Sequence, residues 1–359
     1  MKNITFFILF LALNTTNVSA QSNDTWFSFY NADSTLVGFK DINGIIKIDP
    51  KFSGPTIAKK FEHIIAVAEE SNGQWKSYYL TKTGKKVGAA SLHYFDNGVD
   101  CEMEGFIRFR DNKTDKVGLF DKDGKIAIPA EYNWLSQVKN GMLTGLKDGK
   151  KKSFENGEHY TWVGGNEMLI DTQNTILVND FKTEKYLNFF SIQKTEKPST
   201  DKTRTSFKAK ENVYYTFVDY ELEFKQWLTN DLLVNLTPEK LINASFETIT
   251  WESKDGWATT NKAKYISDNF AILEKGLLDF TKPKSDYFVS AGSLNQFMFE
   301  GNQFEKYYNT CGEANEWKYP ALSLNINHIY GKILKQDNFE FLRTDDGYKL
   351  ISVTIRNLD

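Results

Sequence analysis

The chain has 359 residues and a net charge of −3, with acidic and basic residues interspersed, so it carries no electrostatic footprint for nucleic acid. Aromatic residues make up 15% of it, a composition that favours strands over helices. Beyond the first twenty residues no stretch approaches the roughly eighteen apolar positions of a membrane-spanning helix, and the remaining length suits two domains.

The first element in the chain is one expected to be removed. Lys2 gives a positive start, Ile4 to Leu13 are apolar, and Val18-Ser19-Ala20 places small residues at a cleavage site. That layout is a secretory signal peptide (1–20), so the mature chain is expected to begin at Gln21 and to be exported, either periplasmic or secreted. No cysteine lies near the cleavage point, so no lipid anchor is expected. Cys101 and Cys311 are the two cysteines, and they fall in different predicted domains. An oxidising compartment could pair them, but two buried thiols are the stronger expectation.

From residue 25 onward a period is visible. Gly44, Gly84 and Gly124 stand at equal spacing, in "VGFKDINGIIKI", "SYYLTKTGKKVG" and "VGLFDKDGKIAI". Three positions before each glycine is Asp41, Thr81 or Asp121, whose side chains can bond the backbone of a tight turn. The glycine then supplies the left-handed position that closes a hairpin. A further apolar piece follows each hairpin: "HIIAVAEE", "GFIRFR" and "GMLTGL". In "GFIRFR", Ile107 and Phe109 alternate with Arg108 and Arg110, the pattern of a half-buried strand. Each period of forty reads as three short antiparallel strands, which must stack because one unit cannot bury its own apolar face.

These units resemble the WG-repeat (KWG-repeat) family of bacterial proteins over about residues 25–160. The matching positions are Val37-Gly38, Asp41, Gly44, Ile46, Ile48, Pro50 and Phe52, then Val117-Gly118, Asp121, Gly124, Ile126, Ile128, Pro129 and Tyr132. Valine replaces the naming tryptophan in both good units, and the middle unit keeps little beyond its hairpin. The resemblance implies an all-β repeat module that binds or scaffolds. A fourth, degenerate unit is expected around Asn156-Gly157, acting as a cap.

"MLIDTQNTILVND" and "EKYLNFFSIQ" read as further strands, closing a β-repeat domain over 21–193. The polar stretch 194–206, "KTEKPSTDKTRTS", reads as a linker. Residues 207–359 then read as an α+β domain with a mainly antiparallel sheet. "VYYTFVDYELEF" is strand-like, and Thr237-Pro238-Glu239 opens a helix. Ile266, Phe270, Leu273 and Leu277 share one helix face, and Ser293 with Gln296 forms a capping box ahead of Leu294, Phe297, Phe304 and Tyr308. The final hairpin, around Asp345-Asp346-Gly347, resembles the ending of cone-shaped NTF2-like domains.

Catalytic signatures do not emerge. His63, His93, His159 and His328 lack zinc-like spacing, and no catalytic, cofactor or metal residues are assigned. An EF-hand loop with Gly124 at its sixth position would need ligands from Leu119 and Ala130, which have none to give. The best local cluster is Trp251, Glu252, Asp255 and Trp257 in "TWESKDGW", where aromatic faces beside acids suit a sugar. The same letters also describe an ordinary hairpin. Two functions are therefore carried forward. The first is an exported, non-catalytic binding or scaffolding module whose partner is a protein or glycan of the cell envelope. The alternative is a secreted glycan hydrolase with its site in the C-terminal domain.

Overall fold

In the computed structural model, which describes residues 24–95, 98–154, 160–182 and 185–356, the three expected corners are built alike. The N–H of Asp41 donates to the Ile45 carbonyl and the N–H of Gly44 to the Asp41 carbonyl, both at 2.9 Å. Thr81 and Gly84 repeat this pair, as do Asp121 and Gly124. Asp41 Oδ1 also accepts from the Asn43 and Ile45 N–H groups, and Asp121 Oδ1 from those of Asp123 and Lys125. Each glycine sits at positive φ, +80° at Gly44, +85° at Gly84 and +67° at Gly124. The leader segment 1–20 and Asn156-Gly157 lie outside the described residues.

A fourth corner is present, although at a different place from the one expected. Asp171 Oδ1 accepts from the N–H groups of Gln173 and Thr175, and Asn174 takes the glycine position at φ +65°. Asparagine tolerates that conformation better than most residues, so the corner survives without glycine. Its period is lengthened because a separate hairpin, Lys150–Ser153 with Tyr160–Val163, is inserted ahead of it. Among the described residues four three-stranded units result: Trp26–Tyr30, Val37–Lys40 and Ile46–Phe52; Ile64–Ser71, Gln74–Thr81 and Lys86–Val87; Phe106–Asp111, Lys116–Asp121 and Ile126–Tyr132; Met142–Lys147, Asn166–Asp171 and Ile176–Asn179. All pair antiparallel, and units one and two share one seven-stranded sheet.

The glycine of each Val-Gly pair has a steric reason. A Cβ on Gly38 would stand 2.5 Å from the Ile48 carbonyl oxygen, and one on Gly118 would stand 2.7 Å from that of Ile128. At both places the register shifts, and the bulged third strand presses its backbone onto the second. Neighbouring units also fasten to one another. Lys85 Nζ donates to the carbonyls of Asp123 and Gly124, and the Tyr132 hydroxyl to Asn174 Oδ1. In the core of the first unit Phe39, Phe52 and, from the strand Lys60–Phe61 beside it, Phe61 are wholly buried, each contributing about 1.5–3 kcal/mol by its removal from water.

Residues 194–206 are not a free linker. The strands Leu187–Thr195 and Arg204–Lys208 flank Tyr214–Asp219 in one three-stranded sheet, so the polar stretch is the connection inside that sheet. Phe189, Phe207 and Phe217 of this sheet pack on Met142, Leu169 and Val178 of the fourth unit, giving one continuous core. Asp219 then ends the strand and caps a helix, α1 (Tyr220–Trp227), so "VYYTFVDYELEF" is half strand and half helix.

The remaining chain is α+β, as expected. Helix α2 (Pro238–Asn243) starts on Thr237, whose hydroxyl accepts from the Lys240 N–H, and α3 (Lys262–Asp279) buries Ile266, Leu273 and Leu277. Six strands form one sheet in the order Gly256–Asn261, Ser245–Ser253, Gly347–Thr354, Ile333–Thr344, Ala321–Tyr330, Asp286–Gly292. Ser245–Ser253 pairs parallel with Gly347–Thr354, and the other pairs are antiparallel. The helices share one core with this sheet.

A second core gathers Leu342 and Ile351 of the sheet under the segment 293–320, through Leu294, Phe299, Phe304, Tyr307 and Tyr319. The helix expected over that segment is absent. The Asn295 side chain bonds the Phe297 N–H in a local turn, Gly301 takes φ +95°, and only Glu305–Tyr307 is helical, as a 3-10 turn. Phe297 is left 81% exposed. Among the described residues no helix is long and apolar enough to cross a membrane.

Candidate binding cleft

The segment 293–320 does more than cover the sheet, because part of it leans back onto the repeats. Both Lys59 and Lys60 donate their N–H groups to the Thr310 carbonyl at 2.9 Å, and Cys311 forms a disulfide with Cys101. The expectation of two separate thiols is thus corrected. The pair joins positions 210 apart and lies in the core of the first unit, with Val37, Phe39 and Phe61. Proximity that long-range folding creates cannot be read from spacing. Closing so long a loop restricts the unfolded chain and is worth about 2–4 kcal/mol.

Around this junction three cavities, of about 440, 470 and 650 Å³, share Trp317 as a common wall. Two tight turns shape the repeat side. Glu104-Gly105 and Asn140-Gly141 each take positive φ at both residues, the two-residue hairpin turn that matches strand twist. Glu104 couples them: its carboxylate accepts the N–H groups of Asn140 and Gly141 at 2.6 and 2.8 Å. The second turn is also tied outward by Asn140 Nδ2 donating to the Phe189 carbonyl. Lys139, immediately before it, is thereby held against the cleft at 7% exposure.

Beneath lies a buried ion pair. Arg108 Nε and Nη2 meet Asp100 Oδ2 and Oδ1 at 3.0 and 2.5 Å, and Arg108 Nη1 donates to the Leu135 carbonyl. Arg108, placed on a solvent face by strand alternation, is instead 8% exposed. Burial works to raise the Asp100 carboxyl, and the charge and hydrogen bonds of Arg108 override it, leaving the group below its ordinary value. On the opposite side Trp317 stacks on Tyr186, with ring centroids 5.4 Å apart.

One corner of the cleft brings Glu62, His63 and Glu102 together, with ligand-type atoms within 4.8 Å. Glu102 Oε2 accepts the N–H groups of His63 and Ile64, and Oε1 meets His63 Nδ1 at 2.5 Å. That hydrogen bond raises the imidazole above its ordinary value. A cation would have to displace the imidazole from Glu102, so the trio fits a structural clamp between units better than a metal centre.

The sequence candidates Trp251, Glu252, Asp255 and Trp257 lie elsewhere. They occupy the edge hairpin Ser245–Ser253/Gly256–Asn261, and none lines the three cavities. Glu252 pairs with Trp257 and Trp251 with Ala258, so the two tryptophans point to opposite faces of the sheet and cannot sandwich one sugar ring. Trp251 packs on Tyr265 and its indole N–H donates to Thr260 Oγ1, while Glu252 is bound to Arg356. Asp255 sits in the turn, its N–H accepted by Ser253 Oγ. Sequence reasoning missed Lys139, Arg108 and Trp317. The legible hint was the Asn140-Gly141 pair, a hairpin signal just after a lysine.

Compared with known proteins, the chain matches no family model and no curated protein sequence.

Proposed function

We propose that this chain is an exported binding module of the cell envelope, built on WG-like repeats and without catalytic activity of its own. Its ligand, a protein or glycan segment, would sit in the cleft between the repeats and the segment 293–320. The observation that carries this reading is the shared wall of three cavities at Trp317, in a cleft fastened from both sides by Cys101–Cys311. A disulfide suits an oxidising compartment, which supports export. The acids of the cleft are largely engaged: Asp100 by Arg108, Glu102 and Glu104 by backbone N–H groups, and Glu313 by Asn309. That weakens the glycan hydrolase, which needs a second carboxyl to attack or activate water beside one, such as Glu167, that gives a proton.

The test is retention of envelope components by the immobilised full chain starting at Gln21. A specific component should be held by the native chain and lost in Trp317→Ala. Equal retention by both would move the site away from the cleft, and turnover of glycans by the intact chain would favour the hydrolase.

A further inference from the structure

Lys139 has a chemistry that simple binding leaves unused. Its Nζ lies 2.8 Å from the Trp317 ring centroid and 5.3 Å from that of Phe189. It lines both the 440 and the 470 Å³ cavities. No carboxylate, hydroxyl or carbonyl among the described residues accepts a hydrogen bond from it, while Asp100, Glu104, Glu313 and Glu316 are bound to other donors. Ring faces offset only part of the cost of burying an ammonium that no oxygen accepts from, and the group lowers the rest by giving up its proton. Burial drives Lys139 well below the ordinary lysine value; Arg108 pushes the same way, and Glu316 opposes it only in part. The balance is thereby shifted toward the free amine, held beside a tight turn at the wall of a cavity with aromatic sides. Those are the conditions that activate a lysine toward carbonyl carbon.

We propose that Lys139 captures an aldehyde or ketone ligand as an imine within the cleft. This rests on the cleft being the ligand site. The Nζ lone pair forms a bond to the carbonyl carbon, and the carbonyl oxygen takes up a proton to give a carbinolamine. One nitrogen proton accounts for the hydroxyl of that carbinolamine, and the second leaves the nitrogen as the C–O bond breaks, C=N forms and one water departs, with no change of oxidation state. Glu167 lines the same 440 Å³ cavity, and burial raises its carboxyl, which favours its giving the proton that departs in that water and regaining one from the nitrogen. Trp317 and Phe189 limit the access of water that would reverse the step. A small free aldehyde and the open-chain end of a reducing glycan share this chemistry.

The test treats the intact, oxidised chain near neutral pH with glyceraldehyde and cyanoborohydride, which reduces an imine to a stable amine, and maps the adduct by peptide mass spectrometry. Lys139 should be labelled at least about tenfold faster than any exposed lysine, because those remain protonated. Its labelling rate should level off at a pH well below that of ordinary lysines, and Lys139→Arg should carry no adduct at this position while the exposed lysines label as before. A second arm replaces glyceraldehyde with a reducing disaccharide of N-acetylglucosamine. Labelling by both assigns the carbonyl to a glycan end, and labelling by glyceraldehyde alone assigns it to a small aldehyde. Adducts spread over exposed lysines, with Lys139 among the slowest, would overturn the proposal. If Lys139 stays unlabelled while the chain still holds an envelope component through Trp317, the imine fails and the binding reading stands. If Lys139 is labelled but nothing is retained through Trp317, the capture chemistry stands and the envelope partner fails.

Discussion

The corners at Gly44, Gly84 and Gly124 and the cleft around Trp317 are specified in opposite ways. A corner is closed by an Asp or Thr, a residue at positive φ and backbone bonds spanning four positions, all inside one short window. The cleft draws Asp100 and Arg108 from one unit, Lys139 from the next, Phe189 from a following sheet and Trp317 from the C-terminal part. Local chemistry therefore predicts a corner wherever its letters occur. The cleft exists only once the whole chain has folded, and its stability should respond to breaks in distant partners.

That difference orders the consequences of substitution. Asp100→Ala leaves Arg108 buried and unpaired under the cleft and should cost about 3–5 kcal/mol in urea unfolding. Acidification probes the same buried layer. Burial, aided by Arg108, pushes His93 down to about 4. As pH falls from about 6.5 toward 4, the unfolded chain takes up a proton that the folded chain refuses, so stability should fall by roughly 3 kcal/mol. The His93→Leu variant should lack that share of the slope, read as the difference between the two pH–stability curves.

Replacing both cysteines with serine should lower stability by about 2–4 kcal/mol, and should weaken ligand retention because Trp317 is no longer held over the cleft. The corner scaffold should feel Gly118→Ala less, by about 1–3 kcal/mol, since its Cβ meets the Phe109 ring at 2.6 Å and the Ile128 carbonyl oxygen at 2.7 Å. Glu252→Gln breaks only an exposed pair with Arg356 and should change stability by about 0–1 kcal/mol, with retention intact. A large loss there, or none at Asp100, would reverse the ranking.

What was legible follows the same line. Turn chemistry and strand alternation located three corners, the Thr237 cap and the α3 face, since each depends on neighbours within a few positions. The fourth corner escaped because Asn174 replaces glycine and the Lys150–Val163 insertion breaks the period. The polar letters of 194–206 resemble a linker because sheet connections are also polar. Ser293 and Gln296 resemble a capping box, yet Ser293 donates to Glu316 and the segment is held by tertiary packing. The cleft was illegible for a stronger reason: nothing near Cys101 in sequence foretells Cys311, and nothing near Lys139 foretells Trp317.

The most direct measurement is hydrogen–deuterium exchange of the full chain with and without the component it retains from envelope extracts. Occupancy of the cleft predicts slower exchange at 98–105, 134–144 and 309–317, with the corner segments 41–45, 81–85 and 121–125 unchanged. Slower exchange at the corners, with the cleft segments unaltered, would place binding on the repeat edge and contradict the account.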